Sequence, residues 1–296
     1  MGCTAVLGPP IAAPASEPVS CPEAASFNAV QIPVHRLSGE ARVWADRLLA
    51  LFGAVAFDGI EWSLKFSVDG LVGDRFLVGL NREHWGRLGD IDLREKLSIP
   101  LELWRFMLED MRVARAAYFS YEPDEGAGAY RMYLEMLPPP DALRAARVLP
   151  LGRGYKWDPA QGRRLAVTDY RVRYLASPSA FDAYLQPHYE RLAVSAVRDF
   201  AQAAISAAKM RADPCGFMFL EAVEADSLRE SFSVTFRGTR LPLKDFVPGL
   251  LHVAGALALP AQQVLDHLVP DEPRSLCSLA AGITRGGQDF LTVYYD

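Results

Sequence analysis

Residues Ile60 to Val68 alternate without a break, with Ile60, Trp62, Leu64, Phe66 and Val68 on one side and Glu61, Ser63, Lys65 and Ser67 on the other. A period of two marks a β-strand with one apolar and one polar face. The same alternation sets Tyr130, Met132, Leu134 and Met136 against Arg131, Tyr133 and Glu135. It also sets Phe232, Val234 and Phe236 against Ser231, Ser233, Thr235 and Arg237. Carboxylates, ammonium groups and guanidinium groups are costly to bury unless something pairs or uses them, so these polar faces are the place to look for chemistry.

Between the strands the period lengthens to that of helices. Ser38 can cap a helix running through Phe52, with Ala41, Val43, Trp44, Leu48, Leu49 and Phe52 as its apolar stripe and Gly53 as its stop. After the strand at Ile60 and a turn at Asp69-Gly70, a second strand runs through Arg75 to Leu80. A helix follows from Pro100 to Arg112, with Leu101, Leu103, Trp104, Phe106, Met107 and Met111 as its core residues. Strands come next at Ala116 to Glu122 and Ala129 to Met136, then a short helix from Asp141 to Val148. Strands at Gly154 to Trp157 and Leu165 to Tyr174 follow, and one long helix from Ser179 to Arg211. The remainder reads as strands at Gly216 to Glu224 and Glu230 to Arg237, helical segments from Leu243 to Leu268 broken at Pro260, and a last pair at Leu276 to Thr284 and Gln288 to Tyr295.

A helix followed by two strands, repeated about five times, predicts an α+β fold in which about ten antiparallel strands close into a barrel ringed by helices. Closure removes exposed sheet edges. With helices outside, the apolar strand faces point outward and the polar faces line a lumen. Residues 1–26, rich in Pro, Ala and Ser, are expected to form a flexible tail ahead of a single barrel domain over 27–296.

Composition narrows the function. The net charge of −5 and pI near 5.6 exclude a nucleic-acid binder working through an overall positive field. Cys3, Cys21, Cys215 and Cys277 form no CxxC pair, which argues against a zinc site or disulfide framework and makes the cytoplasm the expected compartment. No apolar run approaches the roughly 18 residues of a membrane span, and the N-terminus lacks a secretory pattern. Met1-Gly2-Cys3-Thr4-Ala5-Val6 starts like an acylation site but carries Val6 where Ser or Thr belongs.

The polar faces together hold Glu61, Lys65, Arg75, Arg131, Tyr133, Glu135, Thr235, Arg237, Thr292 and Tyr294. Arg171 and Arg173 join them in one of two registers for the strand around Tyr170. Several cations in a confined volume need an anion, and a diphosphate suits the planar fork of Arg and the point charge of Lys. Tyrosines donate to phosphate oxygens through their hydroxyls and stabilise a carbocation through their ring faces. Glu61 is placed to orient or deprotonate a nucleophile. There is no Walker A loop, GxGxxG, HExxH, GxSxG or magnesium-binding Asp-Asp pair, and the five histidines lie singly. No metal site is predicted.

The chain resembles the ABBA-type prenyltransferases, and within them the cyanobactin peptide prenyltransferases of the TruF/PatF type. The likeness rests on Glu61-Trp62-Ser63-Leu64-Lys65-Phe66 with Arg75-Phe76-Leu77, on Tyr130-Arg131-Met132-Tyr133-Leu134, and on the Asp158-Pro159-Ala160-Gln161-Gly162 turn after Tyr155-Lys156-Trp157. Phe236-Arg237 and Leu291-Thr292-Val293-Tyr294-Tyr295 also fit. The resemblance implies transfer of a dimethylallyl or geranyl group from its diphosphate to a side chain of a macrocyclic ribosomal peptide, with release of pyrophosphate. It implies Glu61 as the acceptor-facing catalytic residue, and Arg75, Arg131, Arg237, Lys65 and Arg171 as diphosphate ligands. Tyr133, Tyr170, Tyr294, Thr235 and Gly79 would form the cation shield and prenyl pocket, with small residues such as Gly79, Ala280 and Gly282 leaving room for a ten-carbon donor. Magnesium can assist by screening the diphosphate, with no dedicated site. Peptide and isoprenoid diphosphate are the partners, without nucleic acid or membrane, for a monomer or weak dimer. Two alternatives stand beside this reading: a prenyltransferase for a small indole or phenol, and a non-catalytic barrel that holds an isoprenoid or lipid.

Overall fold

The computed structural model describes residues 39–52, 58–86, 92–123, 128–136, 148–173, 178–212, 217–225, 227–236, 238–268 and 274–295. The expected tail, Ser38, most of the helix expected from Asp141, and Arg237 lie outside them.

Ten strands form the wall: β1 (Gly59–Ser67), β2 (Gly70–Asn81), β3 (Ala116–Glu122), β4 (Ala129–Glu135), β5 (Val148–Asp158), β6 (Arg163–Arg173), β7 (Met218–Val223), β8 (Glu230–Thr235), β10 (Ser275–Ile283) and β11 (Asp289–Tyr295). A two-residue strand, β9 (Leu241–Pro242), adds a short pairing to β10. The wall strands pair antiparallel in the order β1 to β8, then β10 and β11, and β11 also pairs with β1. Lys65 faces Thr292 across the closing seam, and Thr292 faces Ala280 on its other side. The closed ten-strand barrel expected from the repeats is therefore the fold.

Helices cover the outer face in two sets. On one side, α1 (Gly39–Ala50), α2 (Arg82–Gly86), α3 (Leu93–Lys96) and α4 (Leu101–Val113) lie around the outer faces of β2 to β5. On the other, α5 (Pro178–Glu190), α6 (Ser195–Lys209), α7 (Val247–Ala256) and α8 (Ala261–Leu268) cover β1, β7, β8, β10 and β11. The cores lie between helices and barrel. Phe66, Phe76, Phe119, Phe219 and Phe232 point outward into them and are at most 2% exposed, each contributing about 2–3 kcal/mol of apolar burial. The polar tips of outward aromatics dock the helices: Trp157 Nε1 donates to the Leu97 carbonyl at 2.8 Å and the Tyr130 hydroxyl to the Trp44 carbonyl at 2.5 Å.

Three sequence expectations need correction. The expected helix from Ser179 to Arg211 is two helices, α5 and α6. Pro187 removes a backbone donor from the last turn of α5, Leu192 turns into the core, and Val194, at the α6 N-terminus, donates its N–H to the Asp289 carboxylate at 2.6 Å. In α4, Leu103 and Met107 are buried four residues apart, while Leu101 and Phe106 lie off that stripe and are more than half exposed. Val43 of α1 is exposed for the same reason of helical phase.

Candidate active site

Alternation along the strands delivers one set of side chains to the lumen, where a cavity of about 560 Å³ is lined by residues from all ten wall strands. Strand β1 contributes Glu61, Ser63 and Lys65, whose partners in the outward set, Leu64 and Phe66, lie in the helical core. Register then decides which polar groups become neighbours. Ser63 faces Arg75 on one side and Tyr294 on the other, and Arg131 lies between Ser120 and Lys156.

One end of the lumen, where the hairpins turn, is cationic. Lys65, Arg75, Arg131 and Lys156 surround the buried carboxylate of Glu122. Arg131 Nη2 is 2.9 Å from it and Lys156 Nζ 3.2 Å, while Lys65 Nζ and Arg75 Nε are each 3.8 Å away. Burial pushes the Glu122 carboxyl up, but Arg75, Lys156, Arg131 and Lys65 outweigh it and hold the group well below the usual carboxylate range. Burial lowers the Lys65 ammonium to about 8; Glu122 raises it, and the like charges of Arg75, Lys156 and Arg131 lower it further. Arg75 is 8% exposed, and its Nε and Nη1 have no hydrogen-bond partner.

A second ion cluster stands at the same end. Glu224 accepts from Arg285 at 2.7 Å, Thr168 at 2.9 Å, Arg229 at 3.0 Å and Ser227 at 3.0 Å. Burial raises its pKa, but these partners bring it down to about 2. The Phe290 ring lies between the two clusters, 6.0 Å from Lys65 Nζ and 5.9 Å from the Arg229 guanidinium carbon.

The other end is aromatic and apolar. Tyr133 packs edge-on against Tyr170, centroids 4.9 Å apart, and lies 5.6 Å from Tyr118. Gly154 makes this arrangement fit, since a Cβ there would stand 3.0 Å from the Tyr170 ring. Burial pushes the Tyr133 hydroxyl well above its ordinary pKa, and that hydroxyl has no hydrogen-bond partner. The Tyr294 hydroxyl is likewise raised by burial. Leu149, Leu151 and Val172 form a small apolar cluster with Tyr133, Tyr170, Met218 and Leu220. They sit on strands β4 to β7, across the ring from β1. There Glu61 accepts a long contact from Cys277 Sγ at 3.6 Å, at an irregularity in the β10–β11 pairing.

Of the residues singled out in the sequence, Glu61, Lys65, Arg75, Arg131, Tyr133, Tyr170, Tyr294 and Thr235 line one cavity. Arg171 does not. Adjacent strand residues face opposite ways, and with Tyr170 and Val172 turned inward Arg171 is exposed on the outer face. Arg173, also outward, lies over the Tyr184 ring at 4.0 Å. Gly79 leaves no free space for a ligand, because the Tyr118 ring covers it 3.0 Å from where a Cβ would be. At Gly282 a Cβ would meet the Glu230 carbonyl oxygen at 2.3 Å, so that glycine serves close backbone approach. Sequence reasoning missed Glu122, Lys156, Arg229, Arg285 and the apolar lumen patch. Lys156 was within reach, flanked by two aromatic residues, Tyr155 and Trp157, that period two sends outward. Among the described residues no three His, Cys, Asp or Glu side chains converge as metal ligands. None of the described helices is long and apolar enough to cross a membrane.

The chain is similar in structure to 5-dimethylallyltryptophan synthase from Streptomyces coelicolor, with a TM-score of 0.60 at 14% identity, covering 89% of this chain and 93% of that one. It is also similar to NotF, solved in complex with brevianamide F and DMSPP, with a TM-score of 0.50 at 12% identity, covering 86% of this chain and 88% of that one. No protein-family model and no curated protein sequence matches the chain. At these identities the likeness establishes the ABBA prenyltransferase-type barrel as the fold.

Proposed function

We propose that this protein is a prenyltransferase that moves a dimethylallyl or geranyl group from its diphosphate to a side chain of a ribosomal peptide, with a macrocycle as the substrate class. The observation that carries the reading is Arg75: a buried guanidinium with two nitrogens that lack a hydrogen bond, set among three further cations at one end of the lumen cavity. Buried unsatisfied donors are costly, and a diphosphate oxygen in the cavity would satisfy these.

In the proposed reaction the bond between the allylic carbon and the diphosphate oxygen breaks, and its electron pair leaves on pyrophosphate. Lys65, Arg75, Arg131 and Lys156 stabilise that growing charge, an effect that is strong where water is excluded and the donors are already in place. The tyrosine faces of Tyr133, Tyr170 and Tyr294 shelter the allylic cation from water, and the apolar patch of Leu151, Met218 and Leu220 accepts its hydrocarbon. A nucleophilic atom of the acceptor bonds to the allylic carbon, and its proton passes to Glu61 or to solvent. A cavity of about 560 Å³ accommodates the donor and one acceptor side chain rather than a whole macrocycle, so a peptide would insert a single residue.

The similarity to 5-dimethylallyltryptophan synthase favours a second reading, a free indole acceptor. Incubation with C5 and C10 allylic diphosphates against a panel of cyclic peptides and free aromatic amino acids, read by mass shift, separates the two. Prenylated peptide is the expected product, and a prenylated amino acid alone moves the assignment to the second reading. An isoprenoid-binding chain that releases no pyrophosphate with any acceptor overturns both.

A further inference from the structure

The alkylation scheme has no use for Glu122, although four cations surround it in the lumen. It ends β3, which lies between β2 and β4, with its side chain 6% exposed. Oε1 faces Lys65 and Arg75, and Oε2 faces Arg131 and Lys156, so cations from four strands meet at one carboxylate. In a phosphate pocket such a group competes with the ligand. It occupies donors that phosphate oxygens need, and once the ligand is bound it stands beside it as a like charge, in surroundings where little water screens the repulsion.

The cluster also needs an anion when it is empty. Burial and the neighbouring cations hold Lys65 at about 8 even with Glu122 present, and Glu122 is the group that works in the other direction. Four cations against one carboxylate leave close to three positive charges, opposite to a fully ionised diphosphate monoester.

Resting on the reading of this cluster as the donor-diphosphate site, we infer that Glu122 is a built-in counter-anion that holds the four cations while the site is empty, yields them to the donor, and reclaims them as pyrophosphate leaves. It sets how tightly the site holds diphosphate and touches neither the allylic carbon nor the acceptor. A purely structural Glu122 would leave the opposite mark, because disordering the cations weakens anion binding.

The test is calorimetric titration of the full chain with inorganic pyrophosphate at pH 7. Glu122→Gln is expected to bind pyrophosphate about tenfold tighter than wild type or more, as removal of an apposed like charge predicts, with product inhibition by pyrophosphate deepened to match. Unchanged or weaker affinity overturns the inference. If that variant does not fold, the same comparison is made in a Lys65→Met background, where fewer cations are left uncompensated. Lys65→Met/Glu122→Gln should then bind tighter than Lys65→Met alone, and equal or weaker binding overturns it there too. A wild-type chain that takes up no pyrophosphate removes the donor-site reading itself, and the counter-anion with it. Wild-type binding without any gain in the variant removes the counter-anion alone.

Discussion

The Arg75 guanidinium stands 3.8 Å from the Glu122 carboxylate, near enough for attraction and too far for a hydrogen bond, and its Nε and Nη1 are buried without a hydrogen-bond partner. A group so placed costs stability in the empty protein and becomes useful only when an anion arrives.

Arg75→Met separates those two effects. The donor KM should rise about 10- to 100-fold, the range expected for losing charge-assisted hydrogen bonds. The melting temperature should stay level or rise, because an apolar side chain of similar length replaces a buried guanidinium with two nitrogens that lack a hydrogen bond. Lys65, Arg131 and Lys156 still face Glu122 in that variant. Steady-state kinetics and a thermal melt read the two halves. Arg171→Met, on the outer face, should leave the donor KM unchanged, and a large rise there would contradict the register of β6.

Donor binding should weaken as pH rises through about 8, where Lys65 loses its proton in the free protein. The groups that face it are Glu122 on β3, Arg75 on β2, Arg131 on β4, Lys156 on β5 and the Phe290 ring on β11. A bound diphosphate favours the ammonium, so above pH 8 binding must first restore the proton, and affinity falls by up to about tenfold per pH unit. Stability runs the other way. Between about 8 and 10.5 the unfolded chain holds this proton and the folded chain does not, so the contribution of Lys65 to stability rises with pH across that window. Pyrophosphate titrations from pH 6.5 to 9.5 in wild type and Lys65→Met check the assignment, and the variant should give a flatter profile.

Glu61 lies on the β1 wall of the lumen, across from the apolar patch and outside the set of groups that contact Glu122, so its loss should fall on turnover. Glu61→Gln is expected to reduce kcat by about 10²- to 10⁴-fold, the usual range for a positioned acid or base, with pyrophosphate affinity unchanged. A parallel loss of affinity would move Glu61 into the donor site.

Glu224 ties β6, β8 and the last hairpin together through Thr168, Arg229 and Arg285. Its depressed carboxyl contributes stability that is complete above the unfolded value of 4.5 and lost as pH falls towards about 2. Glu224→Gln should cost about 1–2 kcal/mol at neutral pH, because it weakens hydrogen bonds to two partly exposed arginines, and should remove part of the acid-side slope. Urea unfolding at pH 7 and pH 3 measures both.

Much of this was legible in the chain. The strict period two of Ile60 to Val68 places Glu61, Ser63 and Lys65 on one face whatever the strand pairs with, and the same holds for Arg131 and Tyr133 on β4. The positions of α1, α4 and the helices after Pro178 and Val247 followed from the longer period, while the short α2 and α3 were not read. The phase of α4 put Leu101 and Phe106 on the wrong side, and Pro187 was not read as an interruption. β6 resisted because its apolar residues do not keep to one side: Val167 packs outward while Val172 lies inside. Pattern alone therefore could not choose between Tyr170 and Arg171 as the inward residue.

The sequence by itself determined which residues share a strand face, because side-chain alternation is a local property of extended backbone. Only the tertiary structure decided that this face is an interior. Pairing of β11 with both β1 and β10 joins the two ends of the wall and turns a polar surface into a lumen. Closure and register also bring Lys65, Arg75, Arg131 and Lys156 around Glu122. Residues from five strands become neighbours only through long-range hydrogen bonding, which no local period encodes.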